Sequence, residues 1–111
     1  MANIYKNAKA DLTANTATTV YTVPSDSRSI VKSIIVSEDS GNADTITLTI
    51  TDASSNVFSL FKTKAVSANA TVELLSQPLV LQESDVLKAQ ANAANQVHII
   101  VSFMEVTKGQ L

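Results

Sequence analysis

The chain has no cysteine and no tryptophan, two glycines, two prolines and a single histidine among 111 residues. Without cysteine there can be no disulfide framework, no thiolate nucleophile and no thiolate zinc site. With only Gly41 and Gly109, there is no glycine-rich loop to cradle a phosphate. Charge is sparse too: Lys plus Arg is 8, Asp plus Glu is 10, and 16% of residues are charged, against roughly 25% in an average soluble domain. Lys6, Lys9, Arg28, Lys32, Lys62, Lys64, Lys88 and Lys108 are scattered and offset by acids, so the sequence lacks the concentrated positive charge that phosphates require. No stretch approaches the roughly 18 apolar residues of a membrane-spanning helix, and Met1 to Lys6 holds no apolar run of signal-peptide length. The expectation is a protein made and kept in the cytosol, or released by lysis, with neither nucleic acid nor membrane as partner.

What is present is a strong period of two. Hydrophobic residues make up 45% of the chain, enough for one core at this length and too few for two. In Thr45-Ile46-Thr47-Leu48-Thr49-Ile50-Thr51 the apolar side chains fall on one face and the threonines on the other, a pattern of β-branched residues that suits a half-buried strand. Other strands are predicted over 18–23, 30–36, 57–62, 71–75, 79–81, 86–91 and 97–106, about eight in all. Turn chemistry separates them: Pro24-Ser25-Asp26-Ser27, Glu38-Asp39-Ser40-Gly41-Asn42, Asp52 to Asn56, Ser67-Ala68-Asn69, Gln82 to Asp85 and Asn92 to Asn95. Pro24 and Pro78 stand beside strands and not inside them. The expected fold is therefore all-β, a single antiparallel β-sandwich of about eight strands, jelly-roll-like, over residues 17–111. Residues 1–16 show no convincing apolar period and read as an extended N-terminal arm.

Little in the sequence points to chemistry. His98 lies in a strand on the face opposite Val97, Ile99, Val101 and Phe103, with no second His or Cys to share a metal and no G-x-S-x-G elbow to supply a nucleophile. It reads as a surface or interface residue. Glu38, Asp39 and Asp44 surround Gly41 without the spacing of a calcium loop, and Glu83 and Asp85 sit together in a turn with no cleft suggested between them. No cofactor, metal or catalytic residue is expected. The last strand is more informative, because Ile100, Met104 and Val106 make it apolar on its second face as well. Either a loop or the N-terminal arm of the same domain covers that face, or it packs against another subunit, the reading that contiguous apolar surface favours. Alternation along 30–37 adds Val31 and Ile35 to this face, and His98 lies among its members, so these six residues form the expected oligomer interface.

Four features carry a resemblance: the strand exit Tyr21-Thr22-Val23-Pro24-Ser25, the strand Ile30 to Val36 with its polar turn, Pro78-Leu79-Val80-Leu81 before an acidic turn, and the closing strand ending Glu105-Val106. Together they resemble the small β-sandwich structural proteins of tailed-phage virions, over roughly residues 17–107. The chain departs from that pattern at Ser84, where such chains tend to place glycine before the Asp. The resemblance implies a virion protein made in the host cytoplasm, of the cement or decoration type. Such a protein assembles as a trimer and clamps neighbouring subunits of the major capsid protein or another virion protein, with residues 1–16 lying on a neighbour. Neck, tail and fibre components share the pattern. A carbohydrate-binding sandwich is the alternative from another class, and it would need solvent-facing aromatic residues, which are few.

Overall fold

The structure is a computed structural model that describes residues 3–107. Among the described residues, nine strands follow one another without a helix: β1 (Asn3–Asp11), β2 (Thr18–Thr22), β3 (Ser27–Glu38), β4 (Asp44–Thr51), β5 (Val57–Val66), β6 (Thr71–Glu73), β7 (Leu79–Leu81), β8 (Val86–Ala91) and β9 (Val97–Thr107). They form two antiparallel sheets. The first has the order β1-β9-β3, with β6 and β7 both paired to the far side of β3, and the second has the order β2-β8-β4-β5.

This order follows from folding one long antiparallel hairpin. β1 pairs β9, β2 pairs β8, β3 pairs β6 and β7, and β4 pairs β5, as four strands running out and four strand positions running back would do. Wrapping that ribbon around a core adds two further contacts, β3 with β9 and β4 with β8. The result is a jelly-roll sandwich. β6 and β7 occupy one edge position interrupted by residues 74–78, so nine strands fill the eight positions of a jelly roll; the eight strands expected from the sequence are β2 to β9, and β1 is the addition.

Residues 3–11, read from the sequence as part of an extended arm, are instead the first strand of the sandwich. Ala8 and Ala10 pack against the core and Leu12 is fully buried, while Tyr5, Asn7, Lys9 and Asp11 face out. The alternation is real but carried by small alanines and interrupted by Lys6, which leaves a weak apolar signal. Its physical driver is β9, whose edge would otherwise present a row of bare N–H and C=O groups. The expected boundary after residue 16 therefore gives way to a single β-sandwich from residue 3, with residues 1 and 2 outside the described part.

The core lies between the sheets. Val31, Ile34, Val36, Ile99, Val101 and Phe103 meet Ile46, Leu48, Leu87 and Ala89 from the opposite sheet, all essentially inaccessible. In β4 the threonines take the outer face and Ile46 and Leu48 the inner one, as the alternation requires. Tyr21 stacks on Phe103 with ring centroids 4.1 Å apart. Its hydroxyl donates to Glu105 Oε2 at 2.7 Å and shares a hydrogen bond with Ser29 Oγ at 2.5 Å, closing one end of the core.

The loops are held by carboxylates. The Asp52 carboxylate accepts the N–H groups of Ser54 and Asn56, both at 2.9 Å, which makes the predicted β4–β5 hairpin turn. Glu38, buried at the end of β3, accepts from Ser40 N, Gly41 N, Asn69 N and the Ser40 hydroxyl. Asp44 accepts from Asn92 N, Ala93 N and Gln96 Nε2, tying the β8–β9 loop to the start of β4. The turn at Ser84 forms without glycine: Ser84 takes a left-handed φ of 67°.

Candidate functional site

Two outer faces result from this fold, and they differ in chemistry. On the second sheet Thr45, Thr47, Thr49 and Thr51 of β4 stand beside Lys88 and Gln90 of β8. A shallow groove of about 270 Å³ there is lined by Thr45, Thr47, Ser59, Lys62, Thr63 and Gln90 among others, with no aromatic ring. The groove is polar, and the exposed apolar groups of this sheet, Val57 and Phe58, stand apart from it at the start of the edge strand β5.

The first sheet presents cross-strand rows of which one is apolar throughout and one is apolar at its centre. Tyr5, Met104, Ile30 and Val80 form one row across β1, β9, β3 and β7. Lys9, Ile100, Ile35 and Glu73 form another, and Asn7, Ser102 and Ser33 stand between them. Tyr5 is 74% exposed, Val80 59% and Ile100 41%, values that would be costly for apolar groups unless something covers them. Met104, Val106 and Ile35 are half-buried on the same face.

Of the expected interface residues, the structure brings Ile100, Met104, Val106, His98 and Ile35 together on this surface. Val31 is corrected: it is fully buried in the core. The reason is a β-bulge between Val31 and Ser33 in the pairing of β3 with β9. An extra residue reverses the alternation, so Val31 points inward before the bulge and Ile34 and Val36 point inward after it. The bulge is stabilised by Glu73, whose carboxylate accepts from Ile34 N at 2.8 Å, Leu75 N at 3.2 Å and the Ser33 hydroxyl. Tyr5, Ile30 and Val80 complete the face and were missed in the sequence. The alternation that set Ile34 and Val36 inward also set Ile30 inward, and the bulge undoes that assignment. Tyr5 and Val80 lie in segments too short or too polar to show a face.

His98 sits at one end of this surface. Its Nε2 lies 3.3 Å from Asp11 Oδ1 and its Nδ1 3.5 Å from Asp39 Oδ2. The ring thus lies between the end of β1 and the β3–β4 loop, within ion-pair distance of a carboxylate on each. Ser37 is the cross-strand partner of His98.

Four carboxyl groups are tuned by their surroundings. Glu38 is held below its ordinary value by the Ser40 hydroxyl and by the N–H groups of Asn69, Ser40 and Gly41, against the opposing effect of burial. At Glu73 and Glu105 burial pushes upward, yet hydrogen bonds outweigh it and both are lowered; Lys6, 3.0 Å from Glu105, contributes to the second. Asp52 is lowered by the Asn56 N–H and its neighbours in the turn. These carboxylates are committed as acceptors to the loops and edges they hold. The Tyr21 hydroxyl is raised, first by burial and then by its bond to Glu105.

No protein-family model matches the chain, and no curated protein matches it. Similarity appears among solved structures. A chain from the disulfide-linked pili that form Bacillus endospore appendages is 15% identical, with a TM-score of 0.57, 96% of this chain and 88% of that one being covered. A chain from the acid-stable capsid of Helicobacter pylori bacteriophage KHP30 is 12% identical, with a TM-score of 0.55, covering 97% of this chain and 90% of that one. A pentameric capsid protein from metagenomic phage sequences is 20% identical at a TM-score of 0.42, over 98% of this chain and 63% of that one. The β-sandwich described here is thus a fold that also occurs in a phage capsid chain and in a pilus chain.

Proposed function

We propose that this chain is a non-enzymatic structural protein of a bacteriophage virion. Within the virion it acts as a cement or decoration protein that oligomerises and binds across joints between subunits of the major capsid protein. The observation that carries the proposal is the contrast between the outer faces: threonine and lysine on one sheet, with Val57 alone at its edge, and on the other Tyr5, Ile30, Ile35, Val80, Ile100 and Met104 set among polar neighbours. An assembly protein gains by burying such a face, at about 25 cal/mol per Å² of apolar area removed from water. The jelly-roll fold shared with a phage capsid chain supports the virion as the setting.

The incorporation of residues 3–11 into the sandwich moves the contact. An arm that orders on a neighbour no longer carries the attachment, and the outer face of the first sheet serves contact between copies of this chain. The resemblance implies a trimer as the oligomer. The likeness to a disulfide-linked pilus does not extend to the linkage, since this chain has no cysteine. The protein is made in the host cytoplasm and joins the particle there.

The test is co-purification. Particles banded on a density gradient should contain the chain in a fixed ratio to the major capsid protein, measured by quantitative mass spectrometry. Recovery of the chain solely in the soluble fraction of the lysate would overturn the proposal.

A further inference from the structure

We propose that the apolar outer face of the first sheet docks on the same face of a second copy of this chain, about a two-fold axis that runs along β9 and β3. The inference rests on the reading of this surface as an assembly face, and it replaces the three-fold contact of the resemblance with a two-fold one.

Two identical sheets meeting face to face can be related by a two-fold axis in the interface plane, directed along the strands or across them. An axis along the strands exchanges the two ends of every row. β1 then lies over β6 and β7 of the partner copy, and β9 over its β3. The row Lys9, Ile100, Ile35, Glu73 becomes self-complementary, with Lys9 over Glu73 of the partner copy and Ile100 over Ile35 of the partner copy. The row Tyr5, Met104, Ile30, Val80 meets itself as apolar on apolar, and the polar row between them meets a polar row. An axis across the strands would set Glu73 over Val80 instead, leaving a carboxylate against an aliphatic side chain. The pairing of Lys9 with Glu73 selects the first arrangement, in which Arg28 lies over Val106 of the partner copy but keeps its own ion pair with Glu83.

The two charged groups suit this part. Lys9 is exposed and makes no ion pair among the described residues. Glu73 is exposed, faces no cation within salt-bridge distance among the described residues, and is fixed in position by its bonds to Ser33, Ile34 and Leu75. Area is sufficient as well. The nine paired residues of β1 and β9, the matching length of β3 and the three paired residues each of β6 and β7 outline about 500 Å² per copy, or about 1,000 Å² for the pair, the threshold of a specific interface.

Sedimentation of charge-reversed chains tests the arrangement. Lys9→Glu makes both predicted pairs repulsive, and so does Glu73→Lys, so each variant alone should dimerise at least about tenfold more weakly than wild type. An equimolar mixture should recover the dimer, because both contacts in the heterodimer are again opposite in sign. Glu73→Lys also removes the acceptor for the β3 bulge, so a second experiment leaves Glu73 in place. Tyr5→Cys and Val80→Cys chains, mixed and treated with a short bis-maleimide, should be joined to each other, the protein having no cysteine of its own. Cross-links formed between two identical variants in place of the mixed pair would overturn the axis. A wild-type chain that is monomeric at every concentration would overturn the second copy as occupant. If that monomer still bands with particles, the virion reading stands and this inference alone fails.

Discussion

Replacing Leu12 by alanine should destabilise the fold by about 2 to 5 kcal/mol, the range for a buried leucine whose cavity does not collapse. Leu12 is fully buried. Its amide donates to Val97 O at 3.0 Å and its carbonyl accepts from Asn95 N at 2.9 Å, so the backbone is pinned and cannot close on the vacated space. The lost side-chain carbons account for about 2.4 kcal/mol at about 0.8 per methylene, and the cavity adds the remainder. For a chain of this size that corresponds to a fall in Tm of roughly 8 to 20 °C. Urea denaturation followed by far-ultraviolet circular dichroism measures it, with the exposed Asn15→Ala as a control expected to change stability by less than about 0.5 kcal/mol. Were residues 1–16 an unattached arm, both variants would be silent. A loss below about 1 kcal/mol in Leu12→Ala would refute the placement of β1 and Leu12 in the sandwich.

Other consequences of the structure are open to measurement. Val31→Ser buries a hydroxyl in the core and should cost about 3 kcal/mol, whereas Ile35→Ser on the outer face should cost under about 1 kcal/mol in the same denaturation assay. Ser84→Gly relieves a left-handed residue and should stabilise by about 0.5 to 1 kcal/mol. The folded-state lowering of Glu38, Asp52, Glu73 and Glu105 means that the unfolded chain binds more protons in acid. Their contribution is complete above the ordinary carboxylate range of about 4 to 4.5 and is lost as pH falls through the lower folded values. Tm should therefore be flat from neutral pH down to about 5 and fall below about 4; a Tm that rises in that acid range would contradict the hydrogen bonds assigned to these groups.

The eight strands after β1 were legible because Thr, Ile and Val alternate without interruption in segments such as Thr45 to Thr51, and because turn residues bound them. β1 was hidden by Ala8, Ala10 and Lys6, side chains that pack or reach without giving an apolar period. The phase of Val31 was lost at the bulge before Ser33, because a single extra residue leaves no mark in composition yet reverses every later side chain. Ile100, Met104 and Val106 were assigned to the outer face because β9 runs without a bulge against β1, so its alternation holds from end to end. Glu38, Asp44 and Glu73 owe their roles to partners distant in sequence, such as Asn69, Asn92 and Ile34, and only the folded chain brings those together. The same holds for the pairing of His98 with Asp11 and Asp39.

The assembly face is tested most directly by sedimentation velocity of the wild-type chain beside the double variant Ile100→Ser, Met104→Ser. The wild type should sediment as an oligomer, and the variant as a monomer that keeps its β-sheet circular dichroism and a cooperative unfolding transition. A wild-type chain that stays monomeric at all concentrations, or a double variant whose oligomer is unchanged, would contradict the account.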